Sequence, residues 1–191
     1  MFGVQVLHPR SMLPVRKTGT SVRVKNSYNI SSPGSIIVEK HSGKVPPVCA
    51  ITTVKNITLI DIQSSRMLGA AGFLAHIFNN FLKWGISIDV IATSEVSVSL
   101  TVNTKQDLSG LISDLEQASE VTVKTGKAIV TIICDAAHSS AILASGFEAL
   151  ADEGINVQMI SQGASKVNIS MIVNQDEAEK TVQILHSAYF S

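Results

Sequence analysis

The chain has 191 residues, fifteen of them basic and fifteen acidic, for a formal net charge of zero; 45% are apolar and 16% charged. This is material for roughly one to two domains of about 100 to 200 residues each, with too little charge for disorder. A nucleic-acid binder's concentrated positive surface is missing, no apolar run reaches the ~18 residues of a membrane span, and the first residues lack a signal-peptide layout.

Residues 1–46 predict a helix starting after Pro9, a basic strand Ser21–Lys25, and turns at Pro33, Gly34, Gly43, Pro46 and Pro47. Arg16, Lys17, Arg23 and Lys25 read as a solvated face. With so few apolar anchors this stretch would hardly fold alone, and it is expected to be the tail of another domain. Val48–Val54 is apolar and β-branched, a predicted strand, and Ile57, Leu59 and Asp61 flank a second. Cys49 and Cys134 form no C-x-x-C, so neither a metal nor a dithiol site is expected, and a reduced intracellular setting is.

Phe73, Leu74, Ile77, Phe78, Phe81 and Leu82 recur at helical spacing and predict an amphipathic helix ending at Gly85. Ile86–Ala92 predicts a mostly buried strand, Thr93-Ser94-Glu95 a break, and Val96, Val98, Leu100 and Val102 a half-buried strand. Thr104 is expected to cap a helix with Leu108, Leu111, Ile112 and Leu115 inside, followed by a closing strand near Val121–Lys124. The result is a βαββαβ unit, an antiparallel sheet with two helices on one face.

The pattern then repeats. Ala128–Cys134 predicts a strand, and Ile142, Leu143, Phe147 and Leu150 a helix ending at Gly154. Asn156–Ser161 and Val167–Val173 predict two strands, and Ala178, Val182 and Leu185 line a last helix opened by an Asn174/Glu177 capping box. Gly85 and Gly154 are 69 residues apart, as are Asp89 and Gln158, whereas Val96 and Val167 are 71 apart: a repeat with a two-residue insertion in the turn. The second copy lacks its closing strand, which would leave an unfinished sheet edge. The spare strand Val48–Val54 is expected to fill it, placing residues near Cys49 in one sheet with residues near Val130 or Met171. The expected domains are 1–46, then 56–125, nested inside 47–55 with 126–191.

No catalytic constellation assembles. The Gly43-Lys44 and Gly126-Lys127 pairs lack the rest of a phosphate loop, no G-x-S-x-G or H-E-x-x-H occurs, and His76, His138 and His186 read as surface residues. Polar residues do gather beside a helix start. Backbone N–H groups around Gly72, Phe73 and Leu74 could receive a carboxylate. Asp89, in the apolar run ISIDVIA, is costly unless paired and could take an ammonium, with Thr93 and Ser94 supplying hydroxyls. On this reading the site takes a free amino acid; on the other, Asp89 is edge-exposed and Thr93–Glu95 is an ordinary turn. With Gln158 at the aspartate position and DAAHSS before its helix, the second copy would not bind in the same way.

RMLGAAGFLAHIF, GISIDVIATSEVSVSLTV and GINVQMISQGASKVNISMIVN closely resemble the paired ACT domains at the C-terminus of aspartate kinase. VLHPRSMLPV, VRVKNSYN and PGSII resemble the last part of that enzyme's catalytic domain. The resemblance implies an α+β fold of two ferredoxin-like βαββαβ ACT domains, the first nested in the second. It implies a parent enzyme that phosphorylates the β-carboxylate of aspartate with ATP and Mg²⁺, inhibited by an end-product amino acid, lysine or threonine. The implied effector site is Met67, Ala70, Gly72, Phe73, Leu74, Ala75, Ile88, Asp89, Thr93, Ser94 and Glu95, with alanine at position 70 where some relatives carry a hydroxyl. Asn156, Gln158, Ile160 and Ser161 are the implied second site or interface.

Lys25 and Asn26 match a strand end near the nucleotide. The family's K-F-G-G motif is absent, and phosphoryl transfer needs metal, phosphate clamp and substrate positioning together. The chain is therefore expected to be a regulatory fragment, inactive alone and without a cofactor of its own. Its expected partners are the effector, a second copy paired side by side near Ser87–Val90, and the parent's catalytic domain, in the cytoplasm or, for a plant or algal parent, a plastid. The alternative is a free-standing amino-acid sensor acting on a partner enzyme.

Overall fold

The computed structural model describes residues 7, 9–38, 46–68, 71–134, 138–163 and 168–190. Of the expected features, Ala70, the turn at Gly43 and the strand start at Val167 lie outside these residues. The chain divides into two compact units at Pro46 and Pro47.

In the first unit a short 3-10 helix, Pro9–Met12, runs into α1 (Leu13–Thr18), where proline in the first turn costs no hydrogen bond. The left-handed Gly19, φ 65°, ends it. Strands β1 (Val22–Val24) and β2 (Ser35–Ile37) pair antiparallel, Val22 opposite Ile37. Tyr28, Ile30, Ile36 and Ile37 are all exposed.

Among the described residues, the second unit has one antiparallel sheet and four α-helices. Its elements are β3 (Val48–Gln63), α2 (Phe73–Lys83), β4 (Ile88–Thr93), β5 (Ser97–Asn103), α3 (Ser109–Glu116), β6 (Glu120–Cys134), α4 (Ser139–Asp152), β7 (Met159–Gln162), β8 (Asn168–Asn174) and α5 (Ala178–Phe190). The strand order is β4-β5-β3-β6-β8-β7. Where the sequence suggests two strands at Val48–Val54 and Ile57–Asp61, the chain runs them together as β3, and it likewise fuses Val121–Lys124 with Ala128–Cys134 as β6. No proline or Gly-rich turn interrupts either run. Only local left-handed residues mark the joins, Asn56 at φ 61° and Gly126 at φ 66°, with slips in register between Val54 and Leu59.

Each long strand thus serves two βαββαβ units within the one sheet. In the first βαββαβ unit, Ile60 stands opposite Leu100 of β5 and Val123 of β6. In the second, Val130 of β6 stands opposite Met171 of β8 and Thr53 of β3. The first unit is nested in the second. The joins mirror one another: Thr104 N–H donates to the Asn56 carbonyl, and Gln175 N–H to the Gly126 carbonyl.

Alternation in the strands and the helical stripes builds two cores under the helices. One gathers Ile60, Ile62, Ile77, Phe81, Leu100, Leu111 and Leu115; the other Val130, Ile132, Ile142, Leu150, Ile169, Met171 and Leu185. Each fully buried side chain of this size contributes about 1.5–3 kcal/mol relative to exposure. A third cluster, Ile57, Leu59, Val90, Ile129, Met159 and Ile172, lies on the helix-free faces. The reason is geometric: β4 and β7 close on each other from opposite ends of the strand order, and Ser161 Oγ donates to the Ile91 carbonyl at 2.8 Å. The helix-free faces are thereby covered within the chain.

Several sequence details are corrected. Thr104 does not cap α3; its hydroxyl bonds Thr58, and Asp107 accepts from the Ser109 N–H instead. The α2 stripe is only partly internal, since Leu74, Phe78 and Leu82 face solvent while Ile77 and Phe81 are buried. Asn174 and Glu177 do bond each other, through Asn174 Nδ2 to Glu177 Oε2 at 2.9 Å, just before α5.

Two substitutions test this packing by urea denaturation. Gly126→Ala, with open space around its Cβ but a left-handed backbone, should destabilise by roughly 1 kcal/mol, while Asn56→Gly should be near neutral; equal behaviour would mean the joins are not held left-handed. Gly110→Ala places a Cβ inside the Trp84 ring, a ring tied by its Nε1–H to Asp114 at 2.8 Å. It should cost about 1–3 kcal/mol, and an unchanged midpoint would show that Trp84 swings away freely.

Candidate functional site

The sheet order sets the loop before α2 beside the turn between β4 and β5. At the end of β3, Ser64 N–H donates to the Val96 carbonyl, joining the two segments directly. The chain then makes a 3-10 turn, Ser65–Met67, and enters α2 through Gly72 at φ 90°, a conformation that favours glycine. No side chain caps this helix, so its first N–H groups are not satisfied by the chain's own cap. In the opposing turn, the Ser94 hydroxyl accepts from the Val96 and Ser97 N–H groups and meets Ser97 Oγ at 2.7 Å.

Between the helix start and the turn lies a cavity of about 440 Å³ lined by Met67, Leu68, Gly72, Phe73, Leu74, Ser94 and Glu95. Six of the residues singled out from sequence therefore converge. Leu68 was missed: it follows Met67 directly, but nothing in its periodicity separates it from a loop residue. The walls are mainly apolar, the start of α2 forms one side, and Glu95 is the one carboxylate among the described lining residues. Such a site can hold a carboxylate at the helix end, an aliphatic chain along Met67, Phe73 and Leu74, and a cation at Glu95.

Ile88, Asp89, Thr93 and Ala75 do not line the cavity. Ala75 is exposed on α2 and Thr93 ends β4. Asp89 occupies a β-bulge: Ile88 stands opposite Val102 and Val90 opposite Thr101, leaving Asp89 without a cross-strand partner. Its side chain reaches solvent, yet desolvation by its surroundings pushes the carboxyl pKa up from 3.8. No described side chain bonds it. Asp89 is also five residues from Ser94, roughly 16 Å along a strand at ~3.3 Å per residue. One copy of the chain thus holds the cavity and Asp89 apart.

The second copy is arranged differently. Gln158 Nε2 donates to Asn174 Oδ1 at 2.8 Å, and Lys127 Nζ donates to the same oxygen at 2.7 Å, so Gln158 belongs to an internal polar network. Asn156 is exposed ahead of β7, Ile160 is exposed on it, and Ser161 reaches β4. In the N-terminal unit, Lys25 Nζ donates to the Ile30 carbonyl at 2.6 Å and Asn26 Oδ1 accepts from Tyr28 N–H, both within a local turn. Neither side chain is arranged to clamp a phosphate. Among the described residues there is no cluster of metal-ligating groups, and no helix is long and apolar enough to cross a membrane.

A family profile described as ACT domain matches residues 135–189. The chain is 48% identical over 198 residues to Aspartokinase 3, chloroplastic, of Arabidopsis thaliana, covering 99% of this chain and 35% of that protein. It spans about a third of the length of such curated relatives. Among solved structures, Escherichia coli aspartokinase III in complex with lysine and aspartate superposes with a TM-score of 0.80 at 33% identity, covering 97% of this chain and 42% of that one. A candidate C-terminal regulatory domain of aspartate kinase from Porphyromonas gingivalis matches at 30% identity and a TM-score of 0.65, covering 74% of this chain and 97% of that one. Sequence, fold and extent of match agree: the chain belongs to the aspartokinase family and represents its regulatory region of tandem ACT domains.

Proposed function

We propose that the first ACT unit binds a free end-product amino acid, lysine in preference to threonine, and that two copies of the chain complete the site. The cavity at the start of α2 supports this most directly. Its apolar walls suit the butyl stem of lysine, and Glu95 stands where the side-chain ammonium would end. Threonine, short and uncharged at its tip, would leave that carboxylate without a partner. The E. coli relative was solved with lysine bound, in line with this choice.

Asp89 explains the need for a second copy. Antiparallel apposition of two β4 edges would set the Asp89 end of each strand beside the Ser94 end of the other, bringing an ammonium acceptor to each cavity. Leu74, Phe78 and Leu82 give α2 an exposed apolar stripe, and Ile91 is exposed on β4. A second copy buries these surfaces. Binding that requires both copies then makes ligand and dimer mutually stabilising, as linkage demands.

In the whole enzyme this region would regulate ATP- and Mg²⁺-dependent phosphorylation of aspartate, with nucleotide and metal held by the catalytic body. The exposed Tyr28, Ile30, Ile36 and Ile37 favour that setting over a free-standing sensor, which has no use for a second apolar unit. Relatives named chloroplastic favour a plastid over the cytoplasm.

Calorimetric titration of the full chain with lysine, threonine and alanine tests the reading. Lysine should bind saturably and Asp89→Ala should weaken it at least tenfold, on the order of one lost charge-assisted hydrogen bond. Because an ammonium prefers the ionised carboxylate, affinity should fall as the pH drops through the raised Asp89 pKa, at higher pH than an ordinary aspartate would show. No heat with any amino acid from a folded chain would sink the proposal. Sedimentation should show lysine moving the population toward dimer; an unchanged distribution would assign the whole site to one copy.

A further inference from the structure

At one edge of the first βαββαβ unit the ladder stops. The strands of that unit run β4-β5-β3-β6, and β6 meets β3 with Glu120–Lys124 opposite Gln63 to Leu59. Pairing of β6 with β8 begins only at Lys127. No described strand therefore takes the other side of Glu120–Lys124, which leaves a row of backbone donors and acceptors without a ladder. Glu120, Thr122, Val123 and Lys124 are all exposed.

The internal repeat shows how such an edge is closed. Asp61 stands between Ser99 and Thr122, and Thr131 stands between Ser170 and Thr52, so the first half of β3 is the second unit's counterpart of this segment. There Ala50–Val54 is half-buried, and α5, thirteen residues long, packs against β3. In the first unit α3 has eight residues and the edge stays open.

An open edge of β-branched residues favours unwanted pairing, and natural sheets blunt such edges with charge. The charges here are arranged for pairing instead. Ile60, Ile62 and Val121 face the helix-side core, so Asp61 and the Thr122 opposite it lie on the helix-free side. Glu120, Thr122 and Lys124 share that face, and Val121 and Val123 share the other. A second copy laid antiparallel about a two-fold axis at Thr122 sets Glu120 opposite Lys124, Val121 opposite Val123 and Thr122 opposite itself, each contact repeated by the symmetry. Opposite charges and β-branched residues are favourable cross-strand pairs. Moving the axis one residue either way sets Glu120 against Thr122 or Gly126 and loses both ion pairs. Within the chain neither charge is used: Glu120 and Lys124 have no ion-pair partner among the described residues, unlike Lys55, Lys83 and Lys180.

We infer that the β6 edge Glu120–Lys124 is a self-association surface, and that its occupant is the same strand of a second copy. It lies at the opposite end of the first unit's four strands from β4, so it stands apart from the effector reading and from any pairing at β4. Five residues from each copy make a small contact, and the association belongs to the weak, concentration-dependent class.

The full chain, without amino acid, would be followed by sedimentation velocity over a range of concentrations. Glu120→Lys and Lys124→Glu each set like charges opposite one another at both symmetric positions, and each should weaken association about tenfold. The double variant that exchanges the two should return to the parent value. Both positions are exposed, so folding should be undisturbed. Register is tested with cysteine. Thr122→Cys, in a Cys49→Ser background, lies on the axis and faces itself at the ~4.5–5.5 Å Cα separation of an antiparallel pair, within reach of a disulfide. It should form a covalent dimer with oxidised glutathione, whereas Lys105→Cys, exposed but off the edge, should not. Single exchanges that associate like the parent would overturn the inference, as would a double variant no stronger than the singles, or a Thr122→Cys chain that cross-links no faster than Lys105→Cys. With no amino acid present, none of these outcomes depends on the effector reading.

Discussion

Two strands, β3 and β6, hold the second unit together by belonging to both of its βαββαβ folds. Antiparallel pairing runs along them from Val48 opposite Cys134 to Gln63 opposite Glu120, and neither ACT unit has a complete set of four strands without both. Every other element of that unit is placed by this pairing. The helices lie outside because Ile60, Ile62, Val130 and Ile132 point to them. The third cluster forms because Ile57, Leu59 and Ile129 point the other way. Left-handed Asn56 and Gly126 allow one ladder to serve two ACT units.

Much of this was legible in the residues. Helical stripes ending in Gly85 and Gly154, alternating Val98, Leu100 and Val102, and the offset of 69 to 71 residues gave the repeat and its nesting. Two things were hidden. Fusion of adjacent strands leaves no mark, because a turn at Asn56 and a left-handed residue inside a strand look alike in one sequence. Curling of the sheet depends on the summed twist of six strands, a property of no single segment, so the contact of Ser161 with Ile91 could not be anticipated. The exposed side of α2 escaped for a related reason: periodicity marks apolar positions but not which of them have a partner.

At the site, the residue types were readable and the distances were not. Glycine, helix start and Glu95 lie together as their chain positions suggest, since both loops leave the sheet at the same end. Asp89 lies at the other end of β4, and a strand's length divides it from the cavity. A single sequence reports composition faithfully, but whether one chain or two supplies the parts follows only from strand geometry.

The nested order also has a consequence for synthesis. The first half of β3 leaves the ribosome well before its sheet partner, the far end of β6, and the whole first unit must be made in between. Through that interval Val48–Val54 is an unpaired β-branched edge, able to pair wrongly with another nascent chain. Because the first unit lies between the two halves of the second in the sequence, pairing of Val48–Val54 with the far end of β6 has to close around it.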